Sequence, residues 1–168
     1  MNDRDRTEPP RVTDERTSLT AFLDYQRQTL AMKCAGLTDE QLRDKAVPPS
    51  SLSLLGLVRH LADVERSWFQ NDMAGEQTPS YWGRRPDGEF ADFDVDEADP
   101  KEAFDVWEAA CARSRDIVAA AESLEVLGRY DTQTFALRYV LTHMIEEYAR
   151  HNGHADLLRE RLDGATGE

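Results

Sequence analysis

Cysteine is scarce in this chain, and long apolar runs are absent. The two cysteines, Cys34 and Cys111, lie far apart and form no C-x-x-C motif, which argues against a disulfide framework or a thiolate metal site and favours two buried thiols. The apolar runs are too short to span a bilayer, and the first residues lack the apolar segment of a secretory signal. We therefore expect a soluble cytoplasmic protein with no membrane partner.

Positive charge is also in short supply. Twenty Lys and Arg residues face 33 Asp and Glu residues, which gives a net charge of −13. Such a chain repels phosphate backbones, and no run of Lys and Arg offsets this, so we expect no nucleic-acid partner. Its 168 residues are enough for one domain with a real core.

Strand signals are missing too, since the sequence has no sustained period-two alternation and no Asn-Gly hairpin. Residues 1–13 predict a disordered tail, and residues 14–168 predict a single domain. Helical periodicity and capping signals predict long helices over about 15–35, 52–73, 100–128 and 134–162, with a short helix over 39–45. This pattern predicts an all-α four-helix bundle.

The connection over residues 74–99, between the second and third long helices, is long for a compact domain. Its glycines, prolines and aspartates exclude regular structure. Loops of this length are often functional or mobile. Tyr81 and Trp82 in it either line a pocket or pin the loop to the bundle.

The most informative stretch is H-M-I-E-E-Y-A-R-H-N-G-H-A-D at residues 143–156. His143, Glu147, His151 and His154 are spaced by four, four and three residues, which places them within roughly an 80° sector of a helix at about 100° per residue. Glu147 and His151 lie closest to the core direction. That direction is set by the apolar residues of this helix, which are Leu137, Val140, Met144, Ala155 and Leu158.

A carboxylate directed at an apolar core needs a cationic partner. A divalent metal would supply it, and two imidazoles with one carboxylate form a common catalytic zinc set. His60, on the apolar segment of the second long helix, could complete that set. The alternative also stands: an inward histidine can be a satisfied core residue, and Glu-x-x-x-His a simple intrahelical pair. The sequence contains no H-E-x-x-H motif, which argues against a metalloprotease.

Three segments carry a resemblance to a known family. They are G-L-T-D-E-Q-L at 36–42, S-L-L-G-L-V-R-H-L-A-D-V-E-R-S-W-F at 53–69, and H-M-I-E-E-Y-A-R-H-N-G-H-A-D-L-L-R-E at 143–160. They resemble the DinB-like metal-binding four-helix bundles. Within these, they are most similar to the actinobacterial branch with mycothiol-dependent maleylpyruvate isomerase and mycothiol S-transferases. The resemblance extends over nearly all of residues 15–164.

The resemblance implies a metal site formed by His60, Glu147 and His151, with zinc as the first expectation and nickel as the second. It also implies a transferase that activates a low-molecular-weight thiol, mycothiol, for attack on an electrophilic small molecule. His143 and His154 are candidates for orienting a ligand or moving a proton. The alternative interpretation has equal support: both are histidines on the flank of the helix that hydrogen-bond to backbone or solvent.

Two other functions remain open from the sequence. The same metal site would serve a hydrolase that activates water instead of a thiol. A non-catalytic stress or ligand-binding bundle would use the site structurally or not at all. Such bundles can also form homodimers through an exposed helix face, which the sequence does not identify.

Overall fold

The computed structural model describes residues 6–166, and residues 1–5 and 167–168 lie outside the described part. Helices dominate the described chain, which confirms the predicted all-α class. The elements are α1 (Glu15–Cys34), α2 (Asp39–Arg43), α3 (Leu54–Glu65), a π-helical segment (Arg66–Met73), α4 (Pro100–Ala120), β1 (Leu127–Tyr130), β2 (Gln133–Ala136) and α5 (Leu137–Asp163). The four long helices form a bundle in which α1 packs chiefly on α5 and α3 on α4, while α3 also contacts α5.

Local capping explains where the helices begin. The Asp14 carboxylate accepts from the Thr17 N–H, and Asp99 caps α4 in the same way with Pro100 at the first helical position. Thr38 and Gln41 form a capping box at the start of α2, the short helix that the sequence predicted over 39–45. The cap of α3 is Ser53, whose hydroxyl accepts from the backbone N–H of Gly56, so the helix begins at Leu54, slightly after the predicted start near residue 52.

The segment after α4 departs from the sequence prediction. This helix ends at Ala120 and does not continue to residue 128. The chain then forms an antiparallel hairpin of β1 and β2, so the expectation of no strands was wrong in this short stretch. The tight turn places Asp131 at φ 51°, a backbone conformation that Asp tolerates better than most residues. No Asn-Gly pair announces this turn, which is why the hairpin was missed.

Other expectations can be placed on the described chain. Cys34 and Cys111 are free thiols and both are buried, as expected. No helix within residues 6–166 is long and apolar enough to cross a membrane. The predicted disordered tail lies partly outside the described residues; in its described part, the Thr7 N–H donates to the Gln28 side chain at 2.7 Å.

One buried polar network joins all four long helices. Arg27 on α1 donates to both carboxylate oxygens of Glu65 on α3, at 2.8 and 2.7 Å. The Tyr148 hydroxyl on α5 donates to the same carboxylate at 2.9 Å, and the Trp107 indole on α4 donates to that hydroxyl at 2.8 Å. The Cys111 thiol also lies 3.6 Å from Glu65. The Glu65 side chain is fully buried and that of Arg27 is 5% exposed.

This pair stays ionised despite its burial. Burial alone would raise the pKa of the Glu65 carboxyl, but the Arg27 guanidinium and the hydrogen bonds around it hold that pKa below its ordinary value. Removing one partner of such a buried bidentate pair strongly destabilises the fold, because the remaining charge is left buried without its partner.

The network generates a stability prediction. Glu65→Leu is expected to lower the free energy of unfolding by about 3–5 kcal/mol, since it leaves the Arg27 charge without its buried partner. The double variant Arg27→Met/Glu65→Leu should lose much less than the sum of the two single changes. Urea unfolding followed by circular dichroism measures each value.

A matched control comes from an exposed pair. Asp105→Ala removes the partner of Lys101 on the surface of α4 and should leave the stability nearly unchanged. A Glu65→Leu protein as stable as the wild type would contradict the importance of the network.

Candidate metal centre

Helix α5 presents the face that its periodicity predicted. The five residues that set the core direction are buried, namely Leu137, Val140, Met144, Ala155 and Leu158. Glu147 and His151 lie beside this face, with side chains 15% and 12% exposed. Glu146 and Arg150 point outward and are exposed. The last helix therefore carries a carboxylate and an imidazole at the edge of the core, one helical turn apart.

Helix α3 brings His60 to the same point. The Nε2 atom of His60 lies 3.2 Å from Oε1 of Glu147, and the Nε2 atom of His151 lies 3.2 Å from the same oxygen. The two imidazole rings meet edge to face, with centroids 4.8 Å apart. One donor atom from each of the three residues falls within 4.8 Å of the others. The structure thus brings together the three residues that the sequence analysis singled out.

The outer nitrogens of both histidines also have partners. Nδ1 of His60 lies 2.8 Å from Oδ2 of Asp92, which is in the connection between the π-helical segment and α4. Nδ1 of His151 lies 3.3 Å from Nδ1 of His154. Sequence analysis had singled out His154 but missed Asp92, because no spacing relates a loop aspartate to a histidine 32 residues earlier. The only signal was the concentration of acidic residues in that loop.

His143 is not part of the cluster. Its ring packs against Trp68 of the π-helical segment at a centroid distance of 4.6 Å and stacks on Tyr139 at 6.2 Å. Its Nδ1 lies 3.5 Å from the Glu146 carboxylate. His143 therefore sits among aromatic rings, one turn before Glu147 on α5. π-helical turns such as the one that carries Trp68 are frequent at functional sites.

The aromatic residues of the long connection fasten it to α3. The Trp82 indole N–H donates to the Arg59 carbonyl at 2.9 Å, and the Arg59 guanidinium lies over the indole ring. The Tyr81 backbone N–H donates to the Asp63 carboxylate at 3.0 Å. Trp82 also lines a cavity of about 320 Å³ together with Arg59 and Glu102. For Trp82, both of the expected roles are present.

The charges around His60 favour its protonated form. Burial alone would lower the pKa of His60, but the hydrogen bonds and charges of Asp92 and Glu147 raise it to about 9. Hydrogen bonds from His151 and His60 hold the pKa of Glu147 well below its usual range. In the metal-free protein, a proton on His60 thus occupies the position between the ligand atoms.

This shift predicts how the stability of the metal-free protein depends on pH. The folded-state pKa of about 9 lies above the ordinary value of 6.5, so the contribution of His60 is fully present below pH 6.5. It is lost as the pH rises towards 9, because the folded state binds more protons than the unfolded state in that window. Urea unfolding of metal-free wild type and His60→Gln at pH 6 and pH 9 should show the steeper loss in the wild type. Parallel pH profiles would contradict the assignment.

Comparison with known proteins adds one finding to this geometry. No curated protein and no solved structure matches the chain significantly. A family model described as mycothiol-S-transferase matches residues 18–164, which is most of the chain and includes His60, Glu147 and His151. This match agrees with the resemblance carried by the sequence motifs. The chain therefore belongs to the mycothiol-S-transferase family.

Proposed function

We propose that this protein is a metal-dependent transferase that joins a low-molecular-weight thiol to an electrophilic small molecule. His60, Glu147 and His151 would hold the metal, and mycothiol is the proposed thiol. The observation that carries the proposal is the convergence of two imidazole nitrogens and one carboxylate oxygen within 4.8 Å, in a chain of this family.

The donor atoms suit a small divalent ion. Zinc binds histidine nitrogen and carboxylate oxygen at about 2.0–2.2 Å in tetrahedral sites, which puts neighbouring ligand atoms about 3.3–3.5 Å apart. The two nitrogen–oxygen distances here are both 3.2 Å. Three protein ligands would leave a position for a substrate atom, as in catalytic zinc sites. Zinc is the first candidate and nickel the second, because these ligand types discriminate poorly between them.

Thiol chemistry fits this ligand set. When bound, the metal would stabilise the thiolate, which is the nucleophilic form of a thiol. In the transfer, the thiol loses its proton, the sulfur lone pair forms a bond to the electrophilic carbon, and the leaving group departs with its bonding electrons. The chain must therefore orient its ligands and provide a proton acceptor.

The two flank histidines would share these tasks. The pKa of His154 lies below its usual value, because partial burial and the neighbouring His151 and Arg150 disfavour its charged form. A neutral His154 can accept a hydrogen bond from Nδ1 of His151 and so leave the Nε2 lone pair free for the metal. His143, among its aromatic neighbours, is the candidate to take the thiol proton.

A conjugation assay tests the proposed activity. Wild-type protein, mycothiol and a haloalkyl electrophile should give the S-conjugate faster than the same mixture without protein, as measured by mass spectrometry. Glu147→Gln should lower this rate at least about 100-fold, since loss of a metal ligand exceeds the effect of its outer partners. An exposed carboxylate farther along α5 provides the matched control, and Glu160→Gln should keep the wild-type rate.

Three outcomes of the assay would contradict the proposal. Product that forms equally fast without thiol would indicate a hydrolase using activated water. No reaction with any small thiol, in a folded protein that carries metal, would favour a non-catalytic ligand-binding bundle. Equal rates for Glu147→Gln and Glu160→Gln would remove Glu147 from the active site.

A further inference from the structure

The long connection reaches the candidate metal centre through a single carboxylate. Oδ2 of Asp92 lies 2.8 Å from Nδ1 of His60, on the side of the ring opposite Glu147. The Asp92 residue is 7% exposed, so this contact is largely shielded from water. Its other oxygen, Oδ1, accepts from the Phe93 backbone N–H at 3.2 Å. Both oxygens of this carboxylate are therefore committed.

The chemistry of this contact fixes which nitrogen of His60 carries a proton. An ionised carboxylate can only accept hydrogen bonds, so Nδ1 must donate and must carry its hydrogen. When the ring gives up its second proton, the neutral imidazole keeps its one N–H on Nδ1, and the lone pair then lies on Nε2. That is the atom that faces Glu147 and His151.

The backbone around Asp92 is held in place by the residue next to His60. The Arg59 guanidinium donates to the Ala91 carbonyl at 3.0 Å and also to the Asp94 carbonyl, on either side of Asp92. Because Arg59 and His60 are neighbours on α3, the loop and the imidazole share one rigid support. The position of Asp92 relative to His60 is thus set by α3 itself.

Phe93 limits the rotation of the imidazole. Its ring stacks on that of His60, with centroids 5.3 Å apart and planes 28° apart. The phenyl ring occupies the space above Gly56, one helical turn before His60. A Cβ atom at position 56 would lie 2.7 Å from Cδ1 of Phe93, so the glycine makes room for this stacking.

From these contacts we propose that Asp92 is a positioning residue, which holds His60 as the Nδ1–H tautomer and directs its Nε2 at the metal position. This inference rests on the metal centre of the proposed function and assigns the long connection a part in it. Partners of this type typically change metal affinity by about 10–100-fold when they are removed.

Two readings on the full-length protein test this role. The first is the imidazole ¹H–¹⁵N spectrum of the metal-free protein, in which the Nδ1–H of His60 is assigned by its loss in His60→Gln. We expect a signal protected from exchange with water in the wild type and an unprotected or absent signal in Asp92→Ala. The second is the zinc dissociation constant, measured by chelator competition, which should rise about 10–100-fold in Asp92→Ala.

The same loop offers a matched control. Asp96 is exposed and pairs with Lys45, away from His60. Asp96→Ala should therefore keep both the protected signal and the wild-type zinc affinity. Asp92→Asn, which preserves the size of the side chain, replaces Asp92→Ala if the latter does not fold. Its amide can donate as well as accept, so it no longer imposes one tautomer.

The outcomes separate the positioning role from the metal centre itself. Unchanged Nδ1–H protection and unchanged zinc affinity in the Asp92 variants would overturn the positioning role. A wild-type protein that binds no zinc would overturn the proposed function. In that case the Nδ1–H signal alone decides whether Asp92 orients His60.

Discussion

The buried ion pair of Arg27 and Glu65 is the constraint on which the geometry of the candidate site depends. Glu65 lies five residues after His60 on α3, and Tyr148, which donates to Glu65, directly follows Glu147 on α5. The network therefore fixes α3 against α5 close to the point where their ligand residues meet. Because the pair is costly to break from one side, it also opposes sliding of one helix past the other.

The candidate centre also places partly buried carboxylates against cationic or hydrogen-bonding partners, as the Arg27–Glu65 pair does. Glu147 accepts from two imidazoles, and His60 lies between two carboxylates, Glu147 and Asp92. Such an arrangement is favourable only if a positive charge lies among the ligand atoms. In the metal-free protein that charge is a proton on His60. Burial lowers the pKa of His60, but the hydrogen bonds and charges of Asp92 and Glu147 outweigh burial and raise the pKa to about 9. A divalent ion would compete with this proton, so metal binding should release it.

Sequence periodicity predicted the parts of the fold and site that depend on local order. The core face of α5 and the inward pair Glu147 and His151 follow from helical spacing alone. The convergence of His60 on that pair needed tertiary packing. Its place on an apolar helical segment made His60 a candidate, and the family resemblance implied the contact. The Arg27–Glu65 pair, 38 residues apart, and the Asp92 contact left no periodic signal in the sequence. The hairpin after α4 has no turn dipeptide that marks it in the sequence, so the predicted helix was extended to residue 128 instead of ending at Ala120.

Metal content is the most direct test of the account. Elemental mass spectrometry of protein freed of any affinity tag should find about one equivalent of zinc or nickel per chain. The metal should be lost from folded Glu147→Ala and His151→Ala and retained in Glu146→Ala. A wild-type protein that carries no metal and takes none up on titration would contradict the proposed metal centre. The histidines of α5 would then serve only in structural packing.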